Sequence, residues 1–429
     1  MKYRSTNNKS TKVSFKDAVI KGLADDKGLF FPMEIPKLQD SFFKRLPGLS
    51  ISEIAFEFLK PYTGNDLSDN ELKELLADAL NFDIPLVEVK QGIFSLELFH
   101  GPTLAFKDVG ARIMARFLSK FVGKNKKVTI LVATSGDTGS AVANGFLNVE
   151  GIDVVVLYPK GMVSNIQEKQ FTTLGKNITA LEVNGTFDDC QRMVKEAFTD
   201  KGLNEKMQLS SANSINVARF LPQAIYYFYA YAQLQDKSKP VVFSVPSGNY
   251  GNLTAGLIAK RSGLPISKFI ASANINKVVP EYLETGIFET KPSVSTISNA
   301  MDVGNPSNFV RIQELYDYSW GKIKKDIKAF SFTDEQTRKI ITEVHKETNY
   351  TLDPHGAVAY LGLSEYLNEN KASGIFLETA HPAKFYETVE KQIPEKLNIP
   401  ERLKNYLEKE KKSIEIDNSL DDLKDVLMK

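Results

Sequence analysis

Cysteine, histidine, surplus charge and long apolar runs are all scarce in this 429-residue chain. A single cysteine, Cys190, leaves no internal disulfide to form, so a reducing compartment, the cytoplasm, is the expected setting. Four histidines and one cysteine without ligand spacing give no reason to expect a bound transition metal. Lysine and arginine number 54 against 53 acidic residues, and a formal charge of +1 supplies no global field for a phosphate backbone or an anionic membrane. No nucleic-acid or membrane partner is expected. The short basic runs at 124–127 and 409–412 are diluted by nearby acids and read as solvated faces. The longest apolar stretch, 224–232, falls well short of the ~20 residues a span needs, and the first nine residues lack the apolar core of a signal peptide. No repeat or low-complexity tract is present.

What is there is ordinary globular composition, long enough for about two or three domains with their own cores. From residue 127 onward, short β-branched runs alternate with amphipathic stretches. The runs at 128–133, 153–158, 178–183, 241–245, 269–273 and 374–378 predict strands, and apolar residues recurring at three and four predict helices at 139–149, 187–197, 217–234, 252–261 and 355–367. This is the pattern of an α/β protein with open, mostly parallel, doubly wound sheets. The first 95 residues read as a separate helical cap, with helices near 15–23, 51–62 and 69–80, and the tail after Pro400 reads as surface helices. The tyrosine-rich segment 226–231 fits core packing within its helix.

Four short segments carry chemistry. Ser244-Val245-Pro246-Ser247-Gly248-Asn249-Tyr250-Gly251-Asn252 closes a strand and opens a helix, where backbone N–H groups and the helix dipole form an anion cradle. Its Gly-x-x-Gly spacing has neither the Lys-Ser/Thr of a triphosphate loop nor the glycines of a dinucleotide fingerprint, so it predicts one bound phosphate or else a plain tight turn. Thr134-Ser135-Gly136-Asp137-Thr138-Gly139 is a second strand-to-helix loop, suited to a carboxylate or phosphate or to simple capping. The next strand ends in Tyr158-Pro159-Lys160 without the acid that would hold a ribose, which argues against a dehydrogenase.

His100-Gly101-Pro102-Thr103-Leu104-Ala105-Phe106-Lys107-Asp108 sets one lysine among apolar residues. Such a lysine either snorkels to water or has its charge removed, and a Schiff base with pyridoxal phosphate (PLP) is one way to remove it. Glu378-Thr379-Ala380-His381-Pro382-Ala383-Lys384-Phe385 follows a strand, placing Thr379 at a carboxyl edge, where its hydroxyl can bond a ring nitrogen or close a local turn.

In their order along the chain these segments resemble the threonine synthase family, PLP enzymes of the tryptophan-synthase-β group. The resemblance covers nearly the whole chain. It includes Tyr3-Arg4-Ser5-Thr6, Val13-Ser14-Phe15 and Gly22-Leu23-Ala24-Asp25-Asp26-Lys27-Gly28-Leu29-Phe30-Phe31-Pro32, similar to the N-terminal domain of the longer bacterial and fungal type. It implies PLP fold type II, with two open, mostly parallel twisted sheets flanked by helices and a helical N-terminal domain. The implied domains are a cap at 1–95, a PLP-lysine and substrate-loop domain at 96–240, and a phosphate-loop domain with C-terminal helices at 241–429.

By the same resemblance, Lys107 would hold PLP and then move protons among Cα, Cβ and Cγ. Gly248, Asn249, Tyr250, Gly251 and Asn252 would bind the cofactor phosphate, and Thr379 would face the pyridine nitrogen. The substrate would be O-phospho-L-homoserine, which becomes L-threonine and phosphate. Ser135, Gly136 and Thr138 would hold its carboxylate, with part of that loop reaching its phosphate, and Asn213, Ser214 and Arg219 would clamp the phosphate, the planar arginine fork suiting it. At Asp137 the wider group commonly has an asparagine donating to the cofactor's ring oxygen. A carboxylate donates only when protonated, so Asp137 is expected to share a proton with that oxygen or to turn away. The histidines read as structural, His345 as an exposed helix residue and His355 with Asp353 as shaping the pocket. Rival readings are a PLP phospho-lyase or a threonine or serine dehydratase of the same fold, and a non-catalytic binding protein that keeps it. The chain is expected to be a monomer or a homodimer, without activation by S-adenosylmethionine.

Overall fold

The computed structural model describes residues 1–10, 12–123 and 127–428; most of the basic run at 124–127 therefore lies outside the described residues. Two short strands, β1 (Tyr3–Ser5) and β2 (Phe30–Pro32), pair antiparallel beside the cap helices Phe15–Lys21, Ile51–Thr63 and Asp69–Ala79. Each of these helices starts at a capping box: Ser14 with Asp17, Ser50 with Glu53, Ser68 with Glu71. The chain then forms the hairpin β3 (Leu86–Lys90) and β4 (Ile93–Glu97). Next come β5 (Val128–Ala133), β6 (Ile152–Pro159), β7 (Ile178–Asn184) and β8 (Gln208–Ser211). The remaining strands are β9 (Val241–Pro246), β10 (Lys268–Ala273), β11 (Ile327–Ser331), β12 (Ser373–Glu378) and β13 (Ile414–Asp417).

Apart from the β1–β2 pair, these strands build two sheets. The larger runs β11-β10-β9-β12-β4-β3, parallel except at the β3–β4 hairpin; the smaller runs β13-β7-β6-β5-β8 and is parallel throughout. Their central strands are apolar on both faces because helices cover both, which is why β5 and β9 read as continuous greasy runs. Chain order reverses between β9 and β12 in one sheet and between β5 and β8 in the other. Such switch points open a crevice at the carboxyl ends of parallel strands. The loops after β9, β12, β5 and β8 are the four that carry the Gly248, Thr379, Asp137 and Asn213 segments.

Several expectations change here. The divisions at 95 and 240 do not follow the sheets: the first falls inside β4, which pairs with β12, and β13 leaves the third segment to pair with β7. The tail is thus two helices, Glu401–Leu407 and Leu420–Leu427, around an edge strand. The helix expected at 217–234 breaks into Val217–Phe220, a 3-10 turn at Leu221–Gln223 and Ala224–Gln233, because Pro222 cannot donate within it. Lys411, read as part of a solvated face, is held by Glu168 at 2.7 Å and Glu182 at 2.8 Å. His345 is buried, not exposed, with Nδ1 3.0 Å from the Thr351 hydroxyl and Nε2 2.8 Å from Glu395. The tyrosine segment packs into the main core, where the Tyr227 hydroxyl donates to Asn252 O at 2.9 Å.

Candidate active site

Lys107 opens the helix Lys107–Val122, at the end of a loop pinned to the segment after β12. Phe106 N donates to Thr379 O at 2.8 Å and His381 N to Leu104 O at 3.1 Å, while Leu104 takes a left-handed φ of 57°. Asp108 closes the loop by accepting from the Thr103 amide and hydroxyl at 2.8 and 2.7 Å. It leaves no room at Gly101, where a Cβ would lie 2.5 Å from its Oδ2. Lys107 therefore faces the cleft instead of snorkelling to bulk water, and its Nζ donates to Thr138 Oγ1 at 2.7 Å. Burial pulls its amine down to about 8; Asp137 opposes that shift and Arg219 and Lys384 add to it.

The loop after β5 wraps on Thr134, whose hydroxyl accepts from Gly136 N at 2.9 Å and Gly139 N at 2.7 Å. Gly136 has a φ of 137°, open to glycine alone, and so turns Ser135 and Thr138 into the cleft at the start of the helix Asp137–Phe146. Asp137 Oδ1 accepts from Gln167 Nε2 at 2.8 Å and from the buried Lys384 Nζ at 2.6 Å. Burial pushes the Asp137 carboxyl up, but Lys384, Lys107 and those hydrogen bonds outweigh it and hold it below its ordinary value. An ionised carboxylate accepts and does not donate. Lys384 was not picked out from the sequence, where one lysine after a strand has no distinguishing pattern.

After β9, Tyr250 takes a left-handed φ of 60° and opens the helix Gly251–Arg261. The amides of Tyr250, Gly251 and Asn252 have no acceptor among the described residues. At Gly248 a Cβ would sit 2.7 Å from Met301 Cα and 2.8 Å from Ala300 O, so only glycine lets the 299–301 turn close over the loop. The side chains of Asn249 and Asn252 brace the loop itself. Asn249 donates to Ser214 Oγ at 3.0 Å and accepts from the Ser307 amide at 2.6 Å, and Asn252 donates to Pro246 O at 2.9 Å.

After β8, Asn213 Nδ2 donates to Ala133 O at 3.0 Å, Ser214 Oγ is 2.9 Å from Asn308 Nδ2, and Arg219 Nη1 donates to Lys107 O at 3.0 Å. Arg219 is buried, its Nε has no partner, and burial lowers it to about 10, with Asp108 opposing. Arg311, also missed from sequence, underlies this loop. Fully buried, it donates to Ser214 O at 2.9 Å, Ile215 O at 2.5 Å and Phe30 O at 2.9 Å, and stacks 4.0 Å over Phe220.

Thr379 and His355 form another wall. His355 Nδ1 lies 2.6 Å from Asp353 Oδ1, and its Nε2 accepts from Ala300 N at 3.3 Å, so it holds the turn that covers Gly248. His381 caps its own turn by accepting from Ala383 N, and burial, then His100, lowers it to about 4; His100 itself is 2.7 Å from Glu97. Lys107, Ser135, Asp137, Thr138, Asn213, Ser214, Arg219, the 248–252 loop and Thr379 all line one cleft of about 1100 Å³. Gly136, by contrast, acts through its backbone turn and does not line it.

A lysine with a lowered proton affinity, set across one cleft from a helix N-terminus with free amides, is the pairing an aldehyde cofactor with a phosphate tail requires. The fold and the cleft are those of a pyridoxal-phosphate-dependent enzyme of fold type II. The pyridoxal-phosphate dependent enzyme family matches residues 82–375, the threonine synthase N terminus residues 2–80, and the threonine synthase C-terminal family residues 356–427. The chain is 45% identical over 410 residues to threonine synthase of Buchnera aphidicola from Acyrthosiphon pisum, covering 95% of each. The crystal structure of Escherichia coli threonine synthase superposes with a TM-score of 0.95 at 42% identity, covering 100% of this chain and 99% of that one. PLP-bound threonine synthase from Brucella melitensis matches with a TM-score of 0.92 at 33% identity, covering 100% and 98%. The chain belongs to the threonine synthase family. It is a PLP-dependent lyase acting on a small molecule, and among the described residues no helix is long and apolar enough to cross a membrane.

Proposed function

We propose that the substrate is O-phospho-L-homoserine, converted with water into L-threonine and phosphate. The observation that carries this reading is Arg219, a buried cation lining the cleft, with a free Nε and no carboxylate within ion-pair distance among the described residues. A dianionic leaving group would supply the counter-charge, and Asn213 and Ser214 stand beside it to add hydrogen bonds.

Bound PLP supplies an electrophilic carbon for amines and a sink for negative charge developing at the substrate's Cα. Lys107 would hold it covalently, the amides of 248–252 would take its phosphate, and Thr379 would face its ring nitrogen. Once freed by the substrate amine, Lys107 would take the proton from Cα and pass it to the phosphate oxygen as the Cγ–O bond breaks, and would then move a proton from Cβ to Cγ. An amine near 8 suits both giving and taking. The Ser135, Gly136 and Thr138 loop would fix the substrate carboxylate, so that Cγ points at Arg219. Water would then add its hydroxyl at Cβ, and its proton would pass through Lys107 to Cα. The reducing cytoplasm is the compartment this reading assigns, with the chain acting as a monomer or homodimer.

The test is phosphate release and amino-acid analysis with O-phospho-L-homoserine, on the wild type and Lys107→Ala. Threonine formed one-for-one with phosphate and abolished in Lys107→Ala is expected. Phosphate with a keto acid and ammonia would make the protein a phospho-lyase instead.

A further inference from the structure

Lys384 lies in the 3-10 turn Pro382–Phe385, just past Thr379, and is completely buried. Its position is set from three sides. His381 caps the turn, Lys384 N donates to His381 O at 2.9 Å, and its Nζ donates to Thr103 O at 2.9 Å, in the loop that carries Lys107. The same Nζ meets Asp137 Oδ1 at 2.6 Å, and Gln167 Nε2 reaches that oxygen at 2.8 Å. One carboxylate oxygen is thus bonded twice, and the pair joins the elements after β5 and β12 beside the cleft. A buried ammonium keeps its charge only when paired, so each partner secures the charge of the other.

We propose that Lys384 is a positioning residue for the reaction: it holds Asp137 as a fixed carboxylate turned away from proton transfer, and leaves Lys107 as the group that exchanges protons in the cleft. This rests on the reading of Lys107 as the cofactor lysine. Besides its hydrogen bond to Thr138, Lys107 is faced by Asp137 at the start of its helix, by Arg219 from the helix after β8 and by Lys384 from the turn after β12; its neighbour Asp108 is tied up by Thr103. With Lys384 in place, Lys107 sees a nearly neutral pair. Without it, Lys107 sees a bare carboxylate.

The experiment uses holoenzyme without substrate and follows the pH midpoint of the bound cofactor's visible absorbance change. Lys384→Met should move the midpoint upward by about one unit or more, because the Asp137 charge is no longer offset. Asp137→Asn should move it downward, leaving Lys384 and Arg219 unopposed. The double variant Asp137→Asn/Lys384→Met, which removes both charges, should return it to within about half a unit of wild type. Lys384→Met should also lower kcat with KM little changed, and Lys384→Arg should restore kcat in part. A wild-type midpoint in folded Lys384→Met, or a double variant shifted as far as Lys384→Met, would overturn the proposal. Should Lys384→Met fail to fold, Lys384→Gln, which still donates to Thr103 O, carries the same expectation, and a wild-type midpoint in Asp137→Asn would still refute it. Lys107→Ala separates the two readings: a visible cofactor band that survives there would remove Lys107 from its role, whereas its loss with an unmoved Lys384→Met midpoint would remove only Lys384.

Discussion

Arg219 Nη1 donates to the backbone carbonyl of Lys107 at 3.0 Å, so the residue proposed to clamp the leaving group and the residue proposed to hold the cofactor are bonded through the main chain. Helix packing enforces the contact: a Cβ at Gly110, one turn along from Lys107, would lie 2.4 Å from Arg219 O.

Arg219→Lys keeps the charge but loses the planar fork, and is expected to lower kcat/KM by about 10²-fold or more. The cofactor's visible spectrum without substrate should stay as in the wild type. Phosphate-release kinetics and the absorbance spectrum together check this, and an altered spectrum would mean the arginine acts on Lys107 instead.

Gly248→Ala puts a methyl against backbone atoms of Ala300 and Met301, which cannot rotate away. The turn must back off, and a cost of about 1–3 kcal/mol, falling mainly on cofactor binding, follows. Titration of the apoenzyme with PLP should show affinity weakened by about tenfold or more, at that energy.

Arg311→Met removes donors from three carbonyls, that of Phe30 buried and those of Ser214 and Ile215 half-buried, while relieving the cost of a buried guanidinium. Orphaned carbonyls cost about 1–3 kcal/mol each, so net destabilisation of about 2–4 kcal/mol is expected. Because Ser214 loses its support, KM should rise more than kcat falls. Urea unfolding and steady-state kinetics measure both.

The Lys107 amine, at about 8, is lowered from the ordinary lysine value of 10.5. Between those limits the unfolded apoenzyme binds more protons than the folded one, so the contribution of Lys107 to stability rises with pH across that window. Comparing urea midpoints of the wild type and Lys107→Met apoenzymes from pH 7 to 10 should show the wild type gaining on the variant as pH increases. A constant difference would mean the amine is not perturbed.

Glu378 is completely buried, and burial first, then Asp353, raises its carboxyl well above the ordinary range. Both causes favour its protonated form. Glu378→Gln, which keeps the oxygen that accepts from Asp353 N at 2.6 Å, should change stability by less than about 1 kcal/mol by urea unfolding. Gly356→Ala should be far more costly, since its Cβ would fall 1.4 Å from Glu378 Oε2.

The strands at 128–133, 241–245 and 374–378 were legible because strands buried on both faces are unbroken apolar runs, and the loops after them because polar and glycine residues gather where such strands end. The short edge strands β8, β11 and β13 were not, since each is brief, mixes polar with apolar residues, and depends on a distant partner for its pairing. Asn249 shows the same limit within the site. Its place in the loop after β9 was readable, but its service to Ser214 and Ser307 was not.

By itself, then, the sequence determined the α/β class and the order of the loops at the strand ends, because periodicity and local residue type are written in consecutive positions. Tertiary structure alone decided which sheet takes β4 and β13, that Arg311 carries the Ser214 loop, and that Lys384 neutralises Asp137. Lys384 and Asp137 are far apart in the chain, and a buried charge finds its counter-charge by packing in space, which no local pattern records.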